Sequence, residues 1–215
     1  MFFRKRPKRE IIFFRHGETD WNKAGLVQGR TDIYLNPNGI MQADNLGQVL
    51  IKENVDFVVS SPLKRAKTTA KIVLDIIKKP HNLQCSPDLV ERDFGVVEGR
   101  KFQEILVEYK DIFDIMDNDA HPECMHAKFP NSESKYEVLS RVMNYTCNFM
   151  DSNAQYNKLA VSCHGGILRY INLFINKKIT DYGNCDYIKV DLDSLKLHKD
   201  KLETIHKKTI ITQGE

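Results

Sequence analysis

No Cys-x-x-Cys pair, internal repeat, low-complexity tract or long apolar run occurs in these 215 residues. Cysteine is sparse and scattered: Cys85, Cys124, Cys147, Cys163 and Cys185, an odd number far apart. That excludes a disulfide framework and suits free thiols in a reducing compartment. The missing apolar run excludes a membrane-spanning helix. Behind the basic start Met1-Phe2-Phe3-Arg4-Lys5-Arg6-Pro7-Lys8-Arg9 only Ile11 to Phe14 are apolar, too short for a signal-peptide core, so the expected location is the cytoplasm. An excess of one charge is lacking too: 32 Lys and Arg against 29 Asp and Glu leave +3. This speaks against a dedicated nucleic-acid binder or membrane partner and is compatible with an anionic substrate held by a few placed arginines. The arm 1–9 reads as a solvated tail.

What is present is ordinary globular composition, 41% hydrophobic and 28% charged. A chain of this length buries about 70% of its unfolded surface and needs no metal or disulfide staple. One domain is therefore expected over 10–215. Its organising stretch is Ile11-Ile12-Phe13-Phe14-Arg15-His16-Gly17, a short buried strand that delivers a histidine beside a fixed positive charge. Strands apolar on both faces belong to sheets covered by helices on either side, and ligands collect at the carboxyl ends of such strands. Lys23 to Asn36, with Gly25, Gly29 and the run Asn36-Pro37-Asn38-Gly39, reads as loop, and Ile40, Ala43, Leu46 and Leu50 then recur at helical spacing. Val55 to Ser60 reads as a second strand, with Ser61-Pro62 as cap and first residue of the next helix.

Leu83 to Cys85 reads as a short edge strand, and the helical pieces between Arg100 and Asn131 as a variable cap over the sheet edge. Tyr136 to Phe149 is a long amphipathic helix. Leu159 to Ser162 is another buried strand, ending at Cys163-His164-Gly165-Gly166 before a helix. Tyr187 to Ile211 alternates, which suggests a hairpin turning at Asp193-Ser194. Strand and helix in this rhythm mean a three-layer α/β/α sandwich with a mainly parallel sheet. Edge strands and the hairpin are surfaces on which two copies could pair as a homodimer.

Two strands thus end in His-Gly, and if they are neighbours His16 and His164 face one pocket. A neutral imidazole is a nucleophile toward phosphorus, and guanidinium neighbours favour the neutral form. Arg15 supplies one, and Arg65, early in a helix after a strand, reaches the same edge. Arginine matches two phosphate oxygens with its planar fork. Gly165-Gly166 at a helix start offers bare N–H groups to an anion. A leaving alkoxide needs an acid, for which Glu91 is the candidate, with Asp93 and Glu98 as competitors. Cys163 adjoins His164, but strand neighbours point to opposite faces, so its thiol belongs to the core. His121, Cys124 and His126 match no strong zinc signature and lack a fourth ligand.

Four segments, RHGETDWN, SSPLKRAKTTA, ERDFGVVEG and SCHGGILR, resemble in order the signatures of the histidine phosphatase superfamily, the phosphoglycerate-mutase-like group. The resemblance implies that His16 is phosphorylated during turnover, that Arg15, Arg65 and His164 bind the transferred group, and that Glu91 is acid and then base. It also implies substrate contacts from Asn22, Gln28, Gly29 and Gly165, and no metal. Pro130-Asn131-Ser132-Glu133-Ser134 resembles the Pro-Gly-Gly-Glu-Ser element of the metabolite phosphatases, with Asn131 and Ser132 in place of two glycines. The segment after Gly99 lacks the aromatic, basic and proline-rich run of the mutases. A phosphatase of small phosphorylated metabolites, working without a cofactor, is therefore expected. The alternative is a mutase that takes 2,3-bisphosphoglycerate as phosphoryl donor. A catalytically idle ligand-binding member would be expected to have lost one of these residues. Lys101, Lys110, His126 and Lys128 are candidates for contacting a second anionic group.

Overall fold

A computed structural model of the chain describes residues 8–118 and 121–213, with 208–213 described by backbone alone. Five strands form one sheet: β1 (Glu10–Arg15), β2 (Phe57–Ser60), β3 (Leu83–Cys85), β4 (Lys158–Cys163) and β5 (Tyr187–Asp191). Their order is β3-β2-β4-β1-β5, parallel except for β5, which runs antiparallel along β1. Alternate side chains go to alternate faces. Ile11, Phe13, Val59, Leu159 and Val161 pack against α6 (Lys135–Ser152), α7 (Gly165–Asn176) and α8 (Leu192–Gln213). Ile12, Phe14, Val58 and Ala160 pack against α2 (Pro37–Leu50) and α3 (Lys64–Ile76). Each of these nine strand side chains is 0% exposed, which is why the strands read as unbroken apolar runs. Burying each of the larger ones contributes about 1.5–3 kcal/mol. Neighbouring β1 and β4 are in parallel register, Arg15 opposite Cys163, so both His-Gly turns leave the same edge.

Two short helices, α4 (Phe102–Glu108) and α5 (Lys110–Met116), follow Arg100 and contribute side chains to the cavity at that edge. Val97, Ile105 and Phe129 form a small core of its own, with Phe94 and Phe113 packed on it. A short helix, α1 (Asp20–Lys23), follows the first histidine, capped by Thr19. Asn131 takes φ +57°, a left-handed conformation that asparagine tolerates, so it keeps the backbone a glycine would give. Ser134 then opens α6 with a capping box to Glu137.

Three expectations are corrected. Tyr187 to Ile211 is no hairpin: only β5 is strand, and α8 follows at once. The Asp191 carboxylate accepts from the N–H groups of Asp193 and Ser194, so that pair is a helix's first turn. The apparent alternation misled because Leu195 and Leu197 differ in fate, 0% and 54% exposed. Leu192, Leu195 and Leu202 fall on one helical face instead. Ser61-Pro62 does not start α3; its N-cap is Leu63. The Asn36–Gly39 segment is not loop, since Asn36 caps α2 and Pro37 is its first residue. Of the basic arm, residues 1–7 lie outside the described residues. Arg9 is docked, donating to the carbonyls of Met150, Asn153 and Tyr156 at the end of α6. Among the described residues no helix is long and apolar enough to cross a membrane.

The docking of α8 is testable. Leu195→Ala should lower unfolding free energy by about 2–5 kcal/mol, read as a fall in the urea midpoint, because it empties a fully buried site.

Candidate active site

At the carboxyl edge of the sheet, the N–H of His16 donates to Cys163 O at 3.1 Å, extending the β1–β4 register by one residue. The rings of His16 and His164 therefore meet edge to face, 5.3 Å between centroids and 63° between planes. Gly17 turns the chain where α2 begins: a Cβ there would lie 2.3 Å from the Gly39 carbonyl oxygen, so two backbones cross with no room for a side chain. The Gly17 N–H donates to Thr69 Oγ1, and that hydroxyl donates to Arg65 O, tying the turn to α3.

Hydrogen bonding fixes the state of His16. Its Nδ1 lies 2.7 Å from Gly17 O, which can only accept, so Nδ1 carries the proton. Arg65 Nε lies 3.2 Å from His16 Nε2 and can only donate, so Nε2 presents its lone pair. Burial first, then Arg65 and Arg15, hold the His16 pKa well below 6.5. His164 is held low in the same way, by burial, then Arg65 and His16. Both rings are neutral at physiological pH.

Arg65 is fully buried, its Nη1 and Nη2 donating to Thr31 O and Gly29 O, both at 2.7 Å. Burial pulls its pKa down to about 10, which leaves it cationic. Arg15 donates from Nη1 to Tyr182 O at 2.5 Å, while its buried Nε has no partner. Burial lowers its pKa against the pull of Glu91 and Asp186. The two guanidiniums and His16 line one cavity of about 470 Å³ with Asn22, Gln28, Gly29, Glu91 and Gly165. His164 lies a layer deeper, 0% exposed, both ring nitrogens unpartnered. Gly29 serves Arg65 through its carbonyl, and Asn22 Oδ1 accepts from Thr19 N and Asn184 Nδ2. Of the three carboxylates weighed, only Glu91 lines the cavity. Its oxygens accept from Arg92 N and Gly166 N, and a Cβ at Gly166 would come within 2.7 Å of it. Glu98 instead staples the Arg30–Thr31 backbone, and Asp93 caps Gly95 and pairs with Arg30.

A match to the family model described as histidine phosphatase superfamily (branch 1) covers residues 11–204. The chain belongs to that superfamily. A metal-independent phosphoserine phosphatase of Arabidopsis thaliana is 32% identical over 178 residues, 78% of this chain and 69% of that one. A 2,3-bisphosphoglycerate-dependent phosphoglycerate mutase of Bacteroides fragilis is 30% identical over 189 residues, 76% of each chain. Among solved structures, a phosphoserine phosphatase of Entamoeba histolytica in complex with 3-phosphoglyceric acid aligns with a TM-score of 0.66 at 28% identity. The alignment covers 84% of this chain and 89% of that one.

Further residues stand at this site that the sequence alone does not single out. Arg141 on α6 donates to the carbonyls of Asp88, Val90 and Glu91 and to the Glu133 carboxylate, clamping the segment that ends in Glu91. Nothing in its helical surroundings marked it. Arg92 stands in the ERDFGVVEG segment, next to Glu91. Lys135 is the first residue of α6, and it lines the cavity together with Arg92. The four cations expected near a second anionic group do not. Lys110 pairs with Asp114 and Lys128 with Glu137, His126 lies tilted against Tyr136 and His206, and Lys101 lies off the cavity wall. His121, Cys124 and His126 do not assemble a metal-ligating group among the described residues. Cys163 is in the core, its thiol pushed up by burial.

The low histidine pKa values carry a stability consequence. Below about 6.5 the unfolded chain binds protons that the folded site refuses, so stability is lost as pH falls through that value. The urea midpoint should be lower at about pH 5.5 than at about 7.5, and His164→Gln, which cannot titrate, should weaken that dependence.

Proposed function

We propose that this chain hydrolyses small phosphomonoesters through a phosphohistidine on His16. The observation that carries the reading is the fixed ring of His16, Nδ1 held by Gly17 O and the Nε2 lone pair set beside Arg65. Nε2 attacks phosphorus, the ester P–O bond breaks, and Glu91 gives its proton to the leaving oxygen. Water then attacks the phosphorus of the P–N bond, passes a proton to Glu91, and inorganic phosphate leaves as the imidazole is restored. Arg15 and Arg65 neutralise the nonbridging oxygens, which supplies most of the barrier reduction in phosphoryl transfer. The unpartnered Arg15 Nε–H and the single N–H of the neutral His164 ring are donors with no competing acceptor. Asn22, Gln28 and the Gly165 N-terminus line the substrate side. The metal-independent relative supports a reaction run by side chains alone.

A second reading, the bisphosphoglycerate-dependent mutase, is supported by the Bacteroides relative and uses the same ring. It differs only in what accepts the phosphoryl group. The cap from Arg100 to Asn131 lacks the basic, proline-rich run expected to shield such an intermediate from water, which favours hydrolysis.

His16→Ala should abolish phosphate release. Glu91→Gln should slow alkyl phosphates by about 10²–10⁴ while slowing 4-nitrophenyl phosphate much less, since that leaving group needs no proton. Interconversion of phosphoglycerates that requires bisphosphoglycerate and outpaces phosphate release would move the assignment to the mutase.

A further inference from the structure

The chemistry proposed for His16 occupies one end of the cavity. Its volume of about 470 Å³ falls in the range of about 300–1,000 Å³ typical of sites that enclose drug-sized molecules, so an ester has room to extend well beyond its phosphate. Phe94, Phe102, Leu106 and Phe113, from α4, α5 and the segment that leads into them, line it together with Val27 and Leu173. Phe102 meets Phe113 edge to face at 5.9 Å, and Phe113 packs in turn on buried Phe129, so this apolar wall is braced by the small core behind it.

Hydrogen bonding is satisfied unevenly along this cavity. Among the described residues, two of its buried side-chain polar atoms have no partner, Arg15 Nε and Gln28 Oε1. Arg15 precedes His16, and Gln28 precedes Gly29, whose carbonyl accepts from Arg65, so both atoms stand at the phosphate end. The polar groups among the apolar side chains are engaged within the protein. Arg92 donates to Glu133 O at 2.7 Å and to Tyr170 Oη at 2.9 Å, with its guanidinium over the rings of Phe94 and Phe129. Lys135 donates to the Met116 carbonyl, and Arg169 pairs with Asp117 and Asp181. A ligand that carried a second charge to this end would give up its water and find these groups taken, which is costly. An apolar body gains by leaving water there.

We propose that the wall of Phe94, Phe102, Leu106 and Phe113 selects monoesters with an uncharged apolar body, alkyl or aryl, whose phosphate is their one charged group. The inference deepens the phosphatase reading and rests on it for the fate of the ester.

The test is a homologous series of ethyl, butyl and hexyl phosphate, with phosphorylated 6-hydroxyhexanoate as the charged counterpart of the longest. The alcohols are of similar basicity, so the chemical step stays alike along the series and kcat/KM reads contact with the wall. Each methylene buried is worth about fourfold. Even partial burial of the added carbons should therefore raise kcat/KM about tenfold or more from ethyl to hexyl phosphate, and the terminal carboxylate should cancel most of that gain. Leu106→Asp, at a half-buried position outside the small core, should bring the hexyl-to-ethyl ratio close to one. A flat series in the native protein, a carboxylate that raises kcat/KM above that of hexyl phosphate, or a hexyl-to-ethyl ratio that survives Leu106→Asp would overturn the proposal. Phosphate release from none of the esters would sink the phosphatase reading instead. Calorimetric titration of the native protein with ethylphosphonate and hexylphosphonate then decides the wall on its own: tighter binding of the longer chain upholds it, and equal affinity overturns it.

Discussion

A guanidinium placed against an unprotonated imidazole nitrogen is the contact on which this structure depends. Arg65 and His16 share a hydrogen bond inside protein, away from water, and the ring cannot take a proton without facing that charge. Holding two such groups together requires every other donor and acceptor to be satisfied by the fold. Gly17 O, Gly29 O and Thr31 O meet that need, and Thr69 locks the helix that carries Arg65 to the turn that carries His16. The fully apolar strands serve the same end, because two helix layers over the sheet keep its carboxyl edge dry and its termini in register.

Glu91, the proposed acid, is positioned by a different device. Glu91 lies on an irregular stretch between β3 and the cap, with no strand or long helix to hold it. Its carboxylate accepts from one backbone N–H beside it and another at the start of α7, while Arg141 grips three carbonyls on the approach. Arg15 and Glu91 thus flank one helix start, Gly165-Gly166. A glycine is required there because any side chain would push the carboxylate aside.

Much of this could be read from the residues. Ile11–Phe14 and Leu159–Ser162 announce buried strands because both faces are covered, and the shared His-Gly ending puts two rings at one edge. What could not be read depends on contacts remote in sequence. Leu195 and Leu197 look alike until α8 turns one inward and the other outward. Lys135 looks like a solvated helix start, and only the packing of α5 beside α6 buries it against Met116. Lys110 and Lys128, by contrast, look available in sequence but spend their charge on Asp114 and Glu137.

Arg9 shows how little a basic run says about where a fold begins. By sequence it closes a dispensable tail, but its guanidinium ties off three carbonyls where α6 ends and the chain heads into β4. Trimming the polypeptide just past that residue would leave those oxygens to water and unpick the last turn of α6. That helix also carries Arg141, which grips the approach to Glu91, so damage at the amino terminus would be felt at the carboxyl edge of the sheet.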